Sequence, residues 1–278
     1  MSTKRIIILV LCLLAFTGIS YINATKANPE QLKVREEIIR SARINEDLDG
    51  FLIASFSDMY YGSFFGKDKL DRAVSTINDF TPDVIIFGGD LIDESISPLS
   101  KEERDDLVEG LKSLKVTYGK YAVLGDEDVL SAERVTGILE EAGFEILSDE
   151  TRVIGISADA RLNIIGLNNS KNASPDLQVL EGIDTSACSF VVSHCPDLFD
   201  LVREYPVDYM FAGHSLNGQV YIPLINFFYR DAGCQKYYRG KTTRNNTTLD
   251  INNGLGQRKH NARLFSDPEI VLYKLSCD

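Results

Sequence analysis

Five short apolar runs in this chain each lead into a carboxylate or an imidazole. Residues 51–56 run into Ser57-Asp58, Val84–Phe87 into Gly88-Gly89-Asp90, and residues 121–124 into Gly125-Asp126. Later, residues 189–192 run into Ser193-His194 and Tyr209–Ala212 into Gly213-His214. Amphipathic stretches separate the first three runs. Lys67–Phe80 places Leu70, Val74 and Ile77 at helical spacing. Residues 100–114 open on Ser100 with Glu103 three positions on, a capping box. Residues 131–142 carry Glu133 near their start, where an acid complements the helix dipole. Strand, polar tip and helix, repeated three times, is the signature of a mainly parallel sheet. Ligands of such sheets collect at the carboxyl ends of the strands. Asp58, Asp90, Asp126, His194 and His214 therefore mark the place to look for a site.

The second half reads as richer in strand, with candidates at 152–156, 162–167, 189–192, 209–212, 220–222 and 269–275. Residues 226–263 are long, polar and rich in Asn, Thr and Gly, and read as a surface loop. Residues 25–50 read as a stalk or lead-in with some helix at 31–42. Neither an internal repeat nor an interdomain linker is visible, so residues 51–278 form one domain.

The N-terminus stands apart. Lys4 and Arg5 precede an apolar run from Ile6 to Ile22, broken only by Thr17, Gly18 and Ser20. Residues 1–24 thus read as a signal peptide or signal anchor, with the basic flank in the cytoplasm and the rest extracytoplasmic, anchored or secreted. The whole chain carries a formal charge of −12; beyond residue 26 it holds 26 basic against 41 acidic residues, a net −15. That balance argues against nucleic acid as a partner and against electrostatic adhesion to anionic lipid, leaving the N-terminal segment as the membrane contact. Export permits disulfides, yet Cys188, Cys195, Cys234 and Cys277 fit bridges and free buried thiols equally. Cys195, directly after His194, is a soft-ligand or nucleophile candidate without a visible base.

Carboxylates and imidazoles are the ligand set of Zn, Mn and Fe sites. With three histidines in all, any imidazole ligand must come from His194, His214 or His260. The local sequences resemble, in order, the motifs of the calcineurin-like metallophosphoesterases: Ser57-Asp58, Gly88-Gly89-Asp90, Gly125-Asp126-Glu127-Asp128, Ser193-His194, and Gly213-His214-Ser215-Leu216-Asn217-Gly218-Gln219. Thr81-Pro82-Asp83, His194-Cys195-Pro196-Asp197 and Gly254-Leu255-Gly256 support the match, which covers about residues 51–275 and looks closest to the membrane-anchored branch.

The resemblance implies an α/β fold, a calcineurin-like four-layer αββα sandwich of two mixed β-sheets flanked by helices. It also implies two metals bridged by an Asp, with phosphoester or pyrophosphate hydrolysis as the chemistry. Asp90 would be the bridge, and Asp126, His194 and His214 would complete the second metal's ligands. The first metal keeps Asp58 and Asp90 alone, because Tyr60 and Leu216 stand where its two histidines belong. Glu127 occupies the family's catalytic-acid position, where a carboxylate repels phosphate unless a cation neutralises it.

The expectation is therefore one divalent ion, Mn, Fe or Zn, in a single-metal or impaired hydrolase. A hard cation (Mn, Mg or Ca) on Asp58, Asp90, Asp126 and Glu127 is a second reading. A catalytically inactive extracytoplasmic binding protein is the third. The implied partner is a phosphoester small molecule or a lipid-linked phosphate. Arg258 and His260, in a basic stretch with Lys259 and Arg263, read as solvated loop charge or as contacts to substrate phosphate.

Overall fold

The computed structural model describes residues 3–93, 97–168, 174–222 and 230–277. Two mixed six-stranded sheets face each other. The first contains β1 (Lys33–Arg40), β2 (Leu52–Phe56), β4 (Val84–Phe87), β6 (Gly119–Ala122), β7 (Phe144–Ile146) and β14 (Glu269–Ser276), in the order β1-β14-β2-β4-β6-β7. All its pairings are parallel except β14 with β2. The second contains β8 (Glu150–Gly155), β9 (Arg161–Gly166), β10 (Cys188–Val192), β11 (Tyr209–Ala212), β12 (Gly240–Arg244) and β13 (Thr247–Ile251), in the order β12-β13-β11-β10-β9-β8. A two-stranded ladder of β3 (Tyr61–Gly62) and β5 (Ile92–Asp93) lies beside them.

Three apolar clusters define four layers. Helices α2 (Lys67–Phe80), α3 (Lys101–Lys112) and α4 (Ala132–Glu141) bury Leu70, Ile77, Leu107 and Ile138 against Ala54, Ile85 and Phe87 of the first sheet. Ile53, Ile86, Val123, Phe190, Phe211 and Tyr273 fill the space between the sheets. On the far side, α5 (Gln178–Glu181) and α6 (Phe199–Val202) place Leu180, Phe199 and Val202 against Ile165, Val191 and Met210. The αββα sandwich is thus built as the family resemblance implied. The capping box at Ser100 forms both of its hydrogen bonds, 2.8 and 3.2 Å, whereas Ser131 caps nothing with its side chain.

Two segments depart from the sequence reading. Residues 33–40 form an edge strand, not a helix-bearing stalk. Val34 and Ile39 face apolar clusters, while Arg35 reaches across to Asp250 of the second sheet at 2.8 Å. Asp250 also accepts hydrogen bonds from Tyr209 (3.2 Å) and Tyr273 (3.1 Å), so this strand helps to tie the two sheets together. Charge on an edge strand hides its period-two pattern. The supposed loop 226–263 contains the β12–β13 hairpin, turning on Asn245 and Asn246 with φ of 49° and 67°. Positive φ at both central residues is the hairpin turn for which Asn is well suited. Residues 223–229 of that stretch lie outside the described residues. The expected strand at 220–222 is reduced to a single bridge between Val220 and Leu264.

Helix α1 (Thr3–Ile22) is 20 residues long, about 30 Å, and none of its residues is buried. That length matches the hydrocarbon core of a bilayer, and the helix reaches slightly beyond the 17-residue apolar run. After it, residues 23–30 lie against the domain. Ala24 and Pro29 are buried, the Ala24 carbonyl accepts from the Arg263 amide at 2.7 Å, and Glu30 pairs with Lys69 at 2.9 Å.

Candidate metal centre

Four of the five strand ends singled out above bring their side chains together between the sheets, and the fifth, Asp58, lies beside them. The chain must turn sharply as it leaves each strand, and Asp58, Asp90 and His214 do so with φ of 49°, 58° and 69°. Non-glycine residues seldom adopt this conformation, and such strain clusters where side chains must be aimed. Glycines supply the remaining room. A Cβ on Gly125 would stand 2.1 Å from Asp90 Oδ1, and one on Gly213 2.5 Å from Asp58 Oδ2. Gly125→Ala should therefore push the Asp90 carboxylate aside. Stability should fall by about 1–3 kcal/mol, in the range of overpacking, and bound metal should fall with it. Thermal melting together with elemental analysis checks both.

Asp90, Asp126, His194 and His214, all buried, bring one ligand atom each within 4.8 Å of the others. His194 Nε2 lies 3.2 Å from Asp90 Oδ2 and 3.3 Å from Asp126 Oδ1, and His214 Nδ1 lies 2.9 Å from Asp126 Oδ1. Neither of these ring nitrogens has a hydrogen-bond partner. The opposite nitrogens do: His194 Nδ1 donates to the Gly88 carbonyl at 2.7 Å and His214 Nε2 to the Ala232 carbonyl at 2.8 Å. A carbonyl accepts only, so each ring keeps a proton there, and its inward nitrogen is the one left to face the carboxylates or a cation. Metal-binding histidines are commonly held in this way.

Electrostatics agree. Burial opposes charge on both imidazoles, yet the carboxylates prevail: His194 is pushed well up by Asp90 and Asp126, and His214 is pushed up to about 11 by Asp126. Asp126, despite burial, is held far below the usual carboxylate range by the two rings. The cluster calls for positive charge, and two oxygen and two nitrogen ligands suit Zn, Fe or Mn. The residues present fit one such ion.

Tyr60 and Leu216, the two altered family positions, lie against Asp90 and Asp58. Tyr60 donates its hydroxyl to Asp90 Oδ2 at 2.6 Å. Burial, then the Asp90 and Asp58 carboxylates, push its pKa well above the usual phenol value, so it is a neutral donor and not a phenolate ligand. Leu216 is buried beside Asp58: a Cβ on Gly254 would meet Leu216 Cδ2 at 2.8 Å and Asp58 Cβ at 2.7 Å. Asp58 uses Oδ2 to accept from Ser57 (2.5 Å) and from the His214 amide (3.0 Å), while its buried Oδ1 has no hydrogen-bond partner. Burial raises its pKa. Asp58 thus braces the His214 loop and stands outside the four-residue cluster.

Glu127 does not confront the site as a bare charge. It pairs with Arg258, which also reaches Asp231 at 3.4 Å. Its backbone amide donates to Asp90 Oδ1 at 3.0 Å. The basic stretch therefore divides. Arg258 is half-buried and, with the exposed Lys259, lines two adjoining cavities of about 240 and 380 Å³; His260 lines only the first. Arg263 is not loop charge at all. It is fully buried and donates to the carbonyls of Asn253 (2.7 Å), Gly254 (3.0 Å) and Gly256 (3.1 Å).

Asp128 proves to be a clamp. One oxygen accepts from the amides of Asp90 (2.7 Å) and Gly125 (2.8 Å), and the other from that of Leu91 (2.8 Å). Burial and the Asp90 charge raise its pKa to about 7. The signal was in the sequence, as the last acid of Gly125-Asp126-Glu127-Asp128. Among the described residues Cys188, Cys195, Cys234 and Cys277 form no disulfide, and the first three are buried.

Two facing mixed sheets thus gather buried carboxylates and imidazoles at their strand ends, a set that could hold a metal ion. No family model matches the chain. The uncharacterized metallophosphoesterase YkuE of Bacillus subtilis is 25% identical over 261 residues, covering 93% of this chain and 90% of that protein. An uncharacterized metallophosphoesterase of Helicobacter pylori is 26% identical over 252 residues, covering 87% of this chain but only 64% of that longer protein. A UDP-2,3-diacylglucosamine pyrophosphatase of Chlamydia muridarum is 22% identical, covering 92% of this chain and 93% of that protein. The chain is thus similar, over most of its length, to proteins named metallophosphoesterases.

Proposed function

We propose that this chain is a membrane-anchored phosphoester or pyrophosphate hydrolase that works with one divalent ion. The observation that carries the reading is the convergence of Asp90, Asp126, His194 and His214, with Tyr60 and Leu216 at the two altered family positions. The names of the relatives support a phosphoester or pyrophosphate as substrate class. Helix α1 supports membrane attachment, with the domain on the extracytoplasmic side.

When bound, a divalent ion supplies Lewis acidity toward a phosphoryl oxygen. The rest falls to the chain. His194 and His214, held by backbone carbonyls, present fixed lone pairs. Tyr60 fixes one oxygen of Asp90, and the Glu127 amide fixes the other. Arg258 and Lys259 stand at the mouth shared by both cavities and meet the substrate's phosphate charge. Arg258 then exchanges a carboxylate for a phosphate, a planar donor fork suiting either. Glu127, paired with Arg258, serves as its counter-ion and not as an acid catalyst.

Arg258→Ala should accordingly raise KM for an aryl phosphate ester by roughly 10–100-fold, the scale of a charge-assisted hydrogen bond. Steady-state kinetics with added Mn checks it. The decisive experiment pairs metal analysis of the purified chain with hydrolysis of the same ester. About one ion per chain with Mn-dependent turnover supports the proposal. No bound ion and no turnover would leave the binding-protein reading, for which Tyr60, Leu216 and Glu127 at three family positions are the motivating observation.

A further inference from the structure

The end of the membrane helix is fastened to the wall of the cleft. Just beyond α1, the Ala24 carbonyl accepts from the Arg263 amide at 2.7 Å. Arg263 lies four residues from Lys259, which lines both cavities. Four residues span at most about 14 Å. The same wall is closed by Leu264, whose amide donates to Gln219 at 3.0 Å and whose carbonyl accepts from Tyr221 at 2.8 Å. Gln219 in turn holds the backbone of Arg258 and His260 at 2.9 Å each. The anchor and the cationic cleft mouth therefore belong to one rigid edge of the domain.

That edge also exposes large apolar side chains. Phe265 is 64% exposed and Ile222 42%, on either side of the Val220–Leu264 bridge. Leu130, on the rim of the larger cavity beside Arg258 and Lys259, is 83% exposed. A lone exposed leucine means little, but Leu130 on the cationic rim, with Ile222 and Phe265 beside the Val220–Leu264 bridge that adjoins the exit of a bilayer-length helix, suits a membrane surface.

We infer that the cleft mouth lies at the surface of the bilayer that holds α1, and that the substrate is a phosphate-ester amphiphile drawn from that bilayer. Its phosphate meets Arg258 and Lys259, and its apolar part stays among Leu130, Ile222 and Phe265. The headgroup layer is about 5–8 Å deep on each side, within the reach set by the Ala24–Arg263 tie. The substrate half of this inference rests on the hydrolase reading above; the orientation half does not.

The test uses the full chain with Mn in phosphatidylcholine vesicles containing phosphatidic acid. A bimane probe is attached through Phe265→Cys, or through Val153→Cys on the edge strand β8 as control. The background carries Cys12→Ala and Cys277→Ala, because those thiols are exposed. Headgroup-level nitroxide lipid should quench the probe at position 265 and not at 153. Equal quenching, or none, overturns the orientation. In parallel, Phe265→Asp with Ile222→Asp should slow phosphate release from phosphatidic acid by roughly tenfold, by weakening interfacial seating, while a soluble aryl phosphate is hydrolysed as before. Equal rates on the vesicles, or a parent chain that cleaves only the soluble ester, overturn the amphiphile. A parent chain that cleaves neither ester sinks the hydrolase reading, and the quenching result still decides the orientation.

Discussion

His214→Ala is expected to empty the metal centre. The ring turns Nδ1 toward Asp126 at 2.9 Å and is fixed by its bond to the Ala232 carbonyl. Altering partners behind a ligand typically weakens metal binding by roughly 10–100-fold, so removing the ligand itself should weaken it by at least about a hundredfold. Bound metal should drop from about one ion per chain to below about a tenth, and turnover should fall to the buffer rate. Ser215→Ala is the neighbouring control: it removes only the hydroxyl that accepts from the Asn217 amide at 3.1 Å, and should keep its ion. Elemental analysis after gel filtration, alongside a melting curve for each variant, separates lost metal from lost fold. A folded His214→Ala protein with a full complement of ion would refute the four-residue centre.

Tyr60→His combined with Leu216→His is expected to recruit a second ion. The first change frees Asp90 Oδ2 from the Tyr60 hydroxyl, and the second replaces an apolar group packed beside Asp58. Asp58 already presents a buried Oδ1 without a hydrogen-bond partner. Two imidazoles and two carboxylates make a credible set for a second divalent ion. Ion content should rise from about one to about two per chain. Without metal, two newly buried polar rings should lower stability by about 1–3 kcal/mol, and added Mn should restore it. Unchanged stoichiometry in a folded double variant would mean that Tyr60 and Leu216 do not occupy ligand positions.

Much of this was legible because the residues that make the site stand at strand ends, where an apolar run stops against a polar residue. Local sequence therefore placed Asp58, Asp90, Asp126, His194 and His214 at a common edge. It could not say that Asp58 stays outside the cluster, since that depends on how the His214 amide and Leu216 fill the space around it. Strand β1 was missed because its charged residues pair across sheets: Arg35 looks solvent-facing in sequence, yet it meets Asp250 more than two hundred positions away. The β12–β13 hairpin is hidden although Asn245-Asn246 spells its turn, because its polar flanks have the composition of a loop. Arg263 was misread for a related reason. In sequence it is one cation among several, and only the fold surrounds it with carbonyl oxygens.

The clamp at Asp128 bears on the order in which the centre is put together. It ties the Asp90 and Gly125 loops by three amides, using a carboxylate that belongs to the chain. These three bonds hold the Asp90 and Gly125 loops together through the chain's own atoms. On the proposed function, an ion would enter a cavity already formed, from the divalent ions its compartment offers. Stripping by a chelator then becomes a reversible change of occupancy, and the supply of metal sets how many copies are charged at any moment.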